Sequence, residues 1–260
     1  MQPICLITGA SAGIGQALAR VFARNGHALV LTARRRAELQ ALADEIAAAG
    51  YTRPRVIVAD LGQADGPARL ADALQKAGLE PSFVVNNAGF GLLGEANALD
   101  RARQLAMIDL NIRALTDLSL RWIETITRHR GGILNVASIA AFLPGPGMAV
   151  YHSTKAYVLS LTEALHEELK ADGVRVCALC PGPVETEFFA IAGLPDDYIP
   201  AMFVRTAERV AVEGYDGLMS GHRVVVPGGL NRLLSLLPRL IPRGLMLGLA
   251  TFWQWAHRRG

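Results

Sequence analysis

The stretch ICLITGASAGIGQALARVF, residues 4–22, decides the fold of this chain. Its first four residues form an apolar run typical of a buried strand, residues 8–15 form a glycine-rich turn, and the remainder has helical periodicity. Glycines in such a turn let the backbone approach a pyrophosphate closely, and the helix N-terminus offers free N–H groups and a positive dipole end. The stretch therefore predicts a dinucleotide-binding unit, although its spacing is Gly-x-x-x-Gly-x-Gly and not the commoner Gly-x-Gly-x-x-Gly. A glycine-rich turn without a ligand is the alternative.

A second pattern lies further along the chain, where Tyr151 and Lys155 open a predicted helix. A separation of four residues places both side chains on one helix face, one turn apart. A tyrosine has an ordinary pKa of about 10, and a nearby lysine cation favours the phenolate. We therefore expect Lys155 to lower the pKa of Tyr151 toward the range of a useful acid–base group. The alternative is a half-buried tyrosine beside a solvated lysine.

Predicted strands and helices alternate along the chain. The longest helices are expected near residues 100–129 and 151–171. This alternation predicts an α/β fold with a parallel sheet, covered by helices on both faces and joined by right-handed crossovers. The predicted strands lie near residues 4–8, 28–33, 55–59, 83–86, 132–137, 174–179 and 223–226.

Over roughly residues 4–227 the chain resembles the short-chain dehydrogenases/reductases of the compact, single-domain type, whose motifs recur here in order. Besides the loop 8–15 and the Tyr151/Lys155 pair, these motifs are Asp60 and Leu61 after the third strand, Asn86 to Gly89 at the end of the fourth strand, Asn111 in a long helix, Ser138 at the end of the fifth strand, Pro181 and Gly182 after the sixth strand, and Thr186. The resemblance implies a Rossmann-type, doubly wound, parallel seven-stranded sheet of order 3-2-1-4-5-6-7. The cofactor is then expected along the carboxyl ends of the strands.

The resemblance also implies roles for four catalytic residues. Tyr151 is expected to protonate the carbonyl oxygen of a substrate as hydride arrives, and to act as the base in the reverse direction. Lys155 is expected to lower the Tyr151 pKa and to bind the nicotinamide ribose. Ser138 is expected to hydrogen-bond the substrate oxygen, and Asn111 to position a water that joins Lys155 to solvent. His152 occupies a variable position of the motif, and we expect it to be solvated or packed.

The cofactor-binding residues that the resemblance implies lie mainly at the carboxyl ends of the strands. Asp60 is expected to meet the adenine, and Thr186 the carboxamide. The full set is Thr8, Gly9, Ser11, Gly13, Ile14, Gly15, Arg34, Arg35, Asp60, Leu61, Asn87, Ala88, Gly89, Tyr151, Lys155, Pro181, Gly182, Val184 and Thr186. No metal site is expected.

The end of the second strand indicates which cofactor is used. Ala33 stands where the NAD-using members of the family carry Asp, and Arg34, Arg35 and Arg36 follow it. Guanidinium groups bind phosphate bidentately, and cations at a helix N-terminus oppose the helix dipole unless an anion is bound there. The sequence therefore favours NADP(H). A basic, solvated start of a helix is the alternative.

Two apolar segments occupy the places where this family builds the wall and lid of its substrate site. The first is residues 139–144, and the second follows Thr186 and contains Phe188, Phe189, Ile191, Leu194, Tyr198, Met202 and Phe203. Their composition favours a lipophilic ketone or aldehyde over a sugar or an amino acid. The alternative is that these residues simply pack against each other when the site is empty.

Length and composition suit one domain with a large core, since the chain has 260 residues of which 51% are hydrophobic. The first strand begins almost at the N-terminus, so no signal peptide is expected, and the three cysteines suggest a reducing compartment. We therefore expect a cytoplasmic protein. Cys177 and Cys180 form a C-x-x-C, but their offset of three in a strand directs them to opposite faces, which favours core packing over a metal or redox site.

The C-terminal part differs from the rest in charge. The formal net charge is +3, yet no acidic residue follows Asp216, and six arginines do: Arg223, Arg232, Arg239, Arg243, Arg258 and Arg259. We divide the chain into a catalytic domain, 1–228, and a basic, apolar helical extension, 229–260, which ends near Phe252, Trp253 and Trp255. The extension is expected to pack an apolar face against the cleft or a partner subunit, with its arginines at the rim. Contact with an anionic membrane surface is the alternative.

The sequence thus predicts an NADP(H)-dependent carbonyl reductase or alcohol dehydrogenase, assembled as a homodimer or homotetramer and without affinity for nucleic acid. Two other functions stay open. Epimerase or dehydratase chemistry also uses Tyr-x-x-x-Lys, but its larger enzymes typically add a sugar-binding domain for which this chain is too short. A sensor that binds NADP(H) without turnover usually lacks a catalytic residue, and all four are present here.

Overall fold

The computed structural model describes residues 1–193, 201–242, 244–248 and 251. Seven parallel strands form one sheet in the order β3-β2-β1-β4-β5-β6-β7, which confirms the predicted doubly wound arrangement. The order reverses between β1 and β4, so their carboxyl ends border the crevice in which such sheets bind ligands. The strands are β1 (Gln2–Thr8), β2 (Leu29–Ala33), β3 (Arg55–Val58), β4 (Leu79–Asn86), β5 (Gly132–Val136), β6 (Arg175–Leu179) and β7 (Val224–Val225).

Helices cover both faces of this sheet because successive residues of each strand point to opposite sides. In β1, Cys5 and Ile7 join the core cluster under α1, α2 and α9, whereas Ile4 and Leu6 join the cluster on the other face. The α-helices are α1 (Gly13–Arg24), α2 (Arg36–Ala48), α3 (Gly66–Lys76), α4 (Arg101–Ile108), α5 (Leu115–Arg121), α6 (Ile123–Arg128), α7 (Ala149–Leu169), α8 (Phe188–Ala192), α9 (Ala207–Met219) and α10 (Gly229–Leu240).

Some boundaries differ from the sequence-based prediction. Strand β4 begins at Leu79, before Pro81, because the register of β1 and β4 shifts between Ile4 and Cys5 and the shift accommodates a residue that cannot donate a ladder hydrogen bond. The long helix expected near residues 100–129 is interrupted by a π-helical turn, Asp109–Ala114, and again at Trp122. Ser138 lies two residues beyond β5, where it caps a short 3₁₀ turn.

The cysteines are core residues, as predicted. All three thiols are free and buried. Cys177 belongs to the same core cluster as Cys5, whereas Cys180 packs in a different cluster beside Ala178 and Val158. The offset of three residues therefore separates Cys177 from Cys180 across the sheet.

Helix α10 opens the predicted extension. Its buried side chains include the polar Asn231 and Ser235, whereas Leu230, Leu233 and Leu236 are 40%, 58% and 44% exposed. These three leucines therefore do not pack on the domain, and packing of the extension against a partner subunit stays a prediction. No helix among the described residues is long and apolar enough to cross a bilayer. The remaining features of the extension, namely Arg243, Phe252, Trp253, Trp255, Arg258 and Arg259, lie outside the described residues.

Candidate active site

One cleft of about 820 Å³ runs along the carboxyl ends of the central strands. Its wall carries most of the predicted site residues, whereas Thr8, Gly15 and Asn111 lie outside this lining. The predicted residues on the wall are Gly9, Ser11, Gly13, Ile14, Arg34, Arg35, Asp60, Leu61, Asn87, Ala88, Gly89, Ser138, Tyr151, Lys155, Pro181, Gly182, Val184 and Thr186.

The glycine-rich turn forms one end of the cleft. Gly9 and Gly13 have φ angles of 64° and 52°, a region that side chains strongly disfavour. A Cβ at Gly13 would lie 2.8 Å from a carbon of Thr186, and a Cβ at Gly15 would collide with the Gly9 carbonyl oxygen. The loop therefore needs glycine for its own close packing. The N-cap residue Ala12 makes no side-chain capping bond, so the first N–H groups of α1 have no side-chain acceptor at the cap.

Two polar side chains of the predicted motifs, Thr8 and Asn87, fix this loop against β4. The Thr8 hydroxyl donates to the Val85 carbonyl oxygen at 3.2 Å and accepts from the backbone N–H groups of Asn87 and Ala88, both at 3.0 Å. The Asn87 amide donates to the carbonyl oxygens of Thr8 and Gly9 at 3.0 and 3.2 Å. Thr8 and Asn87 therefore hold the two strands at the point where the sheet order reverses.

The predicted catalytic side chains meet at the middle of the cleft. Tyr151 is only 8% exposed, and its phenol lies near the Ser138 side chain, which acts to lower its pKa. The Lys155 ammonium lies 5.8 Å from the centroid of the Tyr151 ring and donates to the Val136 carbonyl oxygen at 2.8 Å. The first turns of α7 thus place the phenol and the ammonium beside the end of β5.

The electrostatics of this pair differ from the expectation. Burial raises the pKa of Tyr151 to about 12, and the neighbouring Ser138 side chain only partly opposes this. Burial also lowers the pKa of Lys155 to about 8. The expected lowering of the Tyr151 pKa is therefore not found in this structure, because burial removes water from the phenol and disfavours the phenolate.

Asn111 lies in the π-helical turn and is 1% exposed. Its amide nitrogen donates to the Phe90 carbonyl oxygen at 3.0 Å and to the Thr154 hydroxyl at 3.1 Å, while its oxygen accepts from the Phe90 N–H at 3.2 Å. A Cβ at Gly89 would lie 2.9 Å from Asn111 Oδ1 and 3.6 Å from Lys155 Nζ. The Asn111 oxygen and the Lys155 ammonium therefore approach the same glycine.

The cationic end of the cleft distinguishes two neighbouring arginines. Arg34 is exposed and makes no hydrogen bond or ion pair within the described residues. Arg35, in contrast, donates to the Ser11 carbonyl oxygen at 3.1 Å and pairs with Glu187 at 3.0 Å. Asp60 accepts from the backbone N–H of Gly62 at 3.0 Å. Arg34 is therefore available to a ligand, whereas Arg35 already joins the glycine loop to the segment after β6.

The other end of the cleft is apolar. The Phe188 ring lies 5.4 Å from the Tyr151 ring, and a Cβ at Gly91 would approach Phe188 to 2.8 Å, so glycine at 91 makes room for this contact. His152 is packed, as predicted: its Nδ1–H donates to the Leu143 carbonyl oxygen at 2.8 Å, and burial lowers its pKa. The remaining apolar lining comes from Ile139, Leu143, Met148, Phe189, Ile191, Phe203 and Leu234. Leu194 and Tyr198 of the predicted lid lie outside the described residues.

Sequence reasoning missed a buried polar network beneath the site. Asn86 donates to the Ser119 hydroxyl at 3.0 Å and to the Asn135 oxygen at 2.9 Å, and Asn135 donates to the Thr162 hydroxyl at 3.0 Å. All four residues are at most 2% exposed. The network fixes α5 and α7 to β4 and β5, and the one signal for it is an asparagine inside the otherwise apolar strand β5. Asn231, from α10, was also missed, and it lines the cleft.

Comparisons with known proteins agree with this geometry. The family model described as short chain dehydrogenase matches residues 3–193. Sulfoacetaldehyde reductase 2 of Chromohalobacter salexigens is 38% identical over 191 residues, which are 72% of this chain and 75% of that protein. Serine 3-dehydrogenase of Agrobacterium fabrum is 36% identical over 190 residues, 72% of this chain and 74% of that protein.

Two solved structures extend the likeness to almost the whole chain. A short-chain dehydrogenase from Sphingobium yanoikuyae in complex with NADPH superposes with a TM-score of 0.80 at 31% identity, covering 96% of each chain. The bulky-bulky ketone specific alcohol dehydrogenase from Comamonas testosteroni gives a TM-score of 0.77 at 29% identity, covering 95% of this chain and 94% of that one.

Proposed function

The chain belongs to the short-chain dehydrogenase/reductase family, and we propose that it is an NADP(H)-dependent oxidoreductase that interconverts a lipophilic ketone or aldehyde and the corresponding alcohol. The observation that carries the proposal is one continuous cleft in which Tyr151 and Ser138 separate a glycine-lined end from an apolar end. The phenol proton therefore lies between the space that suits a dinucleotide and the space that suits an apolar substrate.

When bound, the nicotinamide cofactor would donate or accept the hydride. Tyr151 keeps its proton at neutral pH because burial raises its pKa to about 12, so the phenol can give that proton to a carbonyl oxygen that becomes an alkoxide, which is more basic than a phenolate. Ser138 holds the same oxygen by a hydrogen bond.

Lys155 and Asn111 are proposed to assist Tyr151 by binding the cofactor ribose and by returning protons to the phenol. The ammonium has three donors, and only one binds the Val136 carbonyl oxygen, which leaves donors for a ribose hydroxyl of the cofactor. The Asn111 oxygen accepts one bond from Phe90 and keeps a second lone pair close to Gly89, beside which Lys155 also lies. This arrangement supports the proposal that a water between Asn111 and Lys155 returns protons to Tyr151 from solvent.

The choice of NADP(H) over NAD(H) rests on Ala33 and Arg34. Ala33 presents no carboxylate to the ribose or to a 2′-phosphate, and Arg34 lines the cleft without a protein partner in the described part of the chain. A guanidinium binds a phosphate through charge-assisted hydrogen bonds. The NADPH complex of the similar Sphingobium enzyme supports the same assignment. We propose that Arg34 makes the main contact and that Arg35, already bound to Ser11 and Glu187, contributes less.

A lipophilic substrate is supported by the apolar half of the cleft, which begins at the ring contact between Tyr151 and Phe188. The names of two similar proteins mention the small polar compounds sulfoacetaldehyde and serine. However, the match to the family model ends at residue 193, before Phe203 and Leu234, which also line the cleft. The Comamonas dehydrogenase, specific for bulky ketones, resembles 95% of the chain.

The test is NADPH oxidation with a panel of lipophilic ketones and aldehydes, together with the Tyr151→Phe variant. We expect turnover with several of these carbonyl compounds and a loss of about 100-fold or more in Tyr151→Phe, the size associated with general acid–base catalysis. NADPH affinity should change little, because Phe keeps the ring. Near-normal turnover by Tyr151→Phe would reject Tyr151 as the proton donor. NADPH binding without turnover of any compound would instead favour the sensor, and turnover without net oxidation would favour epimerase chemistry.

Assembly and surroundings also remain proposals. We propose a cytoplasmic homodimer or homotetramer, with residues 1–228 as the catalytic domain and 229–260 as an extension. Helix α10 contributes Asn231 and Leu234 to the cleft, which supports a role of the extension as part of the wall of the substrate site. Its exposed leucines support a second contact, either with a partner subunit or with an anionic membrane surface.

A further inference from the structure

The first turn of α10 brings a polar group to the wall of the cleft, where it packs against Gly182. Asn231 lines the cleft together with Leu234, one helical turn later on the same face. Asn231 is 3% exposed, so its side chain has almost no access to bulk water. An asparagine that is almost fully buried needs hydrogen-bond partners for both ends of its amide.

Only one end of that amide has a partner. The Asn231 nitrogen donates to the Pro227 carbonyl oxygen at 3.2 Å, whereas its oxygen, Oδ1, is buried and accepts no hydrogen bond within the described residues. The opposite assignment of the two amide atoms would place Oδ1 against a carbonyl oxygen, which repels it. The bond to Pro227 therefore fixes the orientation in which the acceptor is free.

The position of Asn231 relates this acceptor to the proposed catalytic residues. Its amide lies on Gly182, where an added Cβ would come within 2.6 Å of Asn231 Cγ and 2.8 Å of Oδ1. Gly182 follows Pro181, whose carbonyl oxygen is 3.5 Å from the Ser138 hydroxyl. Any side chain at position 182 would overlap the Asn231 amide, so the packing of Asn231 requires glycine at this position. The acceptor is thus packed on the residue next to Pro181, whose carbonyl oxygen faces Ser138, the residue expected to hold the substrate oxygen.

We propose that Asn231 Oδ1 forms a hydrogen-bonding subsite of the substrate cleft, which accepts a bond from a hydroxyl or N–H group that the substrate carries close to its carbonyl group. The inference rests on the proposed function, which it deepens by naming the substrate class: a carbonyl compound with an apolar body and a neighbouring donor, such as a hydroxy ketone. A compound without the donor leaves the buried acceptor unpaired and is therefore disfavoured.

The test compares three matched ketones with NADPH: acetophenone, its α-hydroxy derivative and its α-methoxy derivative. The methoxy compound keeps the electron-withdrawing oxygen of the hydroxy compound but cannot donate, so their ratio of kcat/KM isolates the hydrogen bond from carbonyl reactivity. A second pair of ketones, with the hydroxyl or methoxy group on the β carbon instead of the α carbon, tests the next longer distance between the carbonyl group and the donor. For the wild-type protein we expect the hydroxy compound to be preferred over the methoxy compound by about 10- to 100-fold at one of the two spacings.

Asn231→Leu removes the acceptor at similar volume and should bring this ratio close to one, mainly through slower reaction of the hydroxy compound. Leu233→Met is the matched control, because it changes an exposed position of the same helix outside the cleft. It should leave the ratio at its wild-type value. Melting temperature and NADPH titration on each variant separate a folding defect from a lost contact.

Each outcome has a distinct meaning. A wild-type ratio near one at both spacings overturns the subsite, whatever the variants do. If Asn231→Leu keeps the wild-type ratio of hydroxy to methoxy kcat/KM, the subsite is also overturned. If that unchanged ratio is accompanied by weaker NADPH binding, Oδ1 instead binds the amide of the cofactor. If the wild-type protein reduces none of the ketones, including those of the wider panel, the proposed function itself fails.

Discussion

Replacing Lys155 with Met is expected to make the protein more stable while abolishing turnover. Lys155 is 6% exposed, and burial lowers its pKa from 10.5 to about 8. That difference corresponds to about 3 kcal/mol at neutral pH, since each pKa unit is worth about 1.4 kcal/mol. Methionine keeps an unbranched apolar chain without the charge, and the lost bond to the Val136 carbonyl oxygen costs about 1 kcal/mol. We therefore expect a net gain of about 2 kcal/mol.

The pH dependence of this gain has a definite sign. Because the folded pKa of Lys155 is lowered below its unfolded value, the unfolded chain binds more protons between about pH 8 and pH 10.5. Stability of the wild-type protein therefore rises with pH in that window. Between about pH 6.5 and about pH 9.5 the contribution amounts to about 2 kcal/mol. The advantage of Lys155→Met should thus shrink from about 2 kcal/mol to near zero over the same range.

Urea unfolding of both proteins across this range measures the free energies by linear extrapolation. Lys170→Met is the matched control, because Lys170 is exposed at the end of α7 and its replacement should leave the pH dependence unchanged. Tyr151 titrates at the alkaline end in both proteins, so its effect cancels in the difference. Parallel curves for the wild-type protein and Lys155→Met would refute the reasoning, because they would mean that the buried ammonium costs nothing.

Two further predictions concern the cofactor and the extension. Arg34→Ala should weaken NADPH binding by about 10- to 150-fold relative to NADH, the value of one charge-assisted hydrogen bond. Arg35→Ala should change the ratio of NADPH to NADH affinity less, since Arg35 is bound to Ser11 and Glu187. The double variant Ala33→Asp/Arg34→Ala should prefer NADH. Titration of both cofactors checks this, and equal binding of NADPH and NADH by the wild-type protein would contradict it. Removal of residues 229–260 should lower the melting temperature or the oligomer mass, because α10 closes one wall of the cleft. Unchanged stability and mass, with lost sedimentation on anionic liposomes, would favour the membrane surface instead.

The sequence alone determined the fold and the order of the site residues, because both depend on patterns that act over short distances. The apolar run, glycine-rich turn and periodic helix of residues 4–22 specify strand, loop and helix through local backbone preferences and through which face each residue can bury. Repetition of that unit predicts a parallel sheet covered on both faces, whereas the doubly wound strand order was implied by the resemblance to a known family. The spacing of Tyr151 and Lys155 likewise fixes their common helix face.

The tertiary structure determined the burial, the pKa values and the long-range contacts of those residues. Burial by distant elements raises the pKa of Tyr151 and lowers that of Lys155, against the expectation from their spacing alone. Arg34 and Arg35 are neighbours in sequence, yet Arg35 pairs with Glu187, whereas Arg34 has no partner among the described residues. The free acceptor on Asn231 exists because α10 returns to Gly182. Desolvation and contacts between residues far apart in the chain depend on the packed molecule as a whole, so no local pattern encodes them.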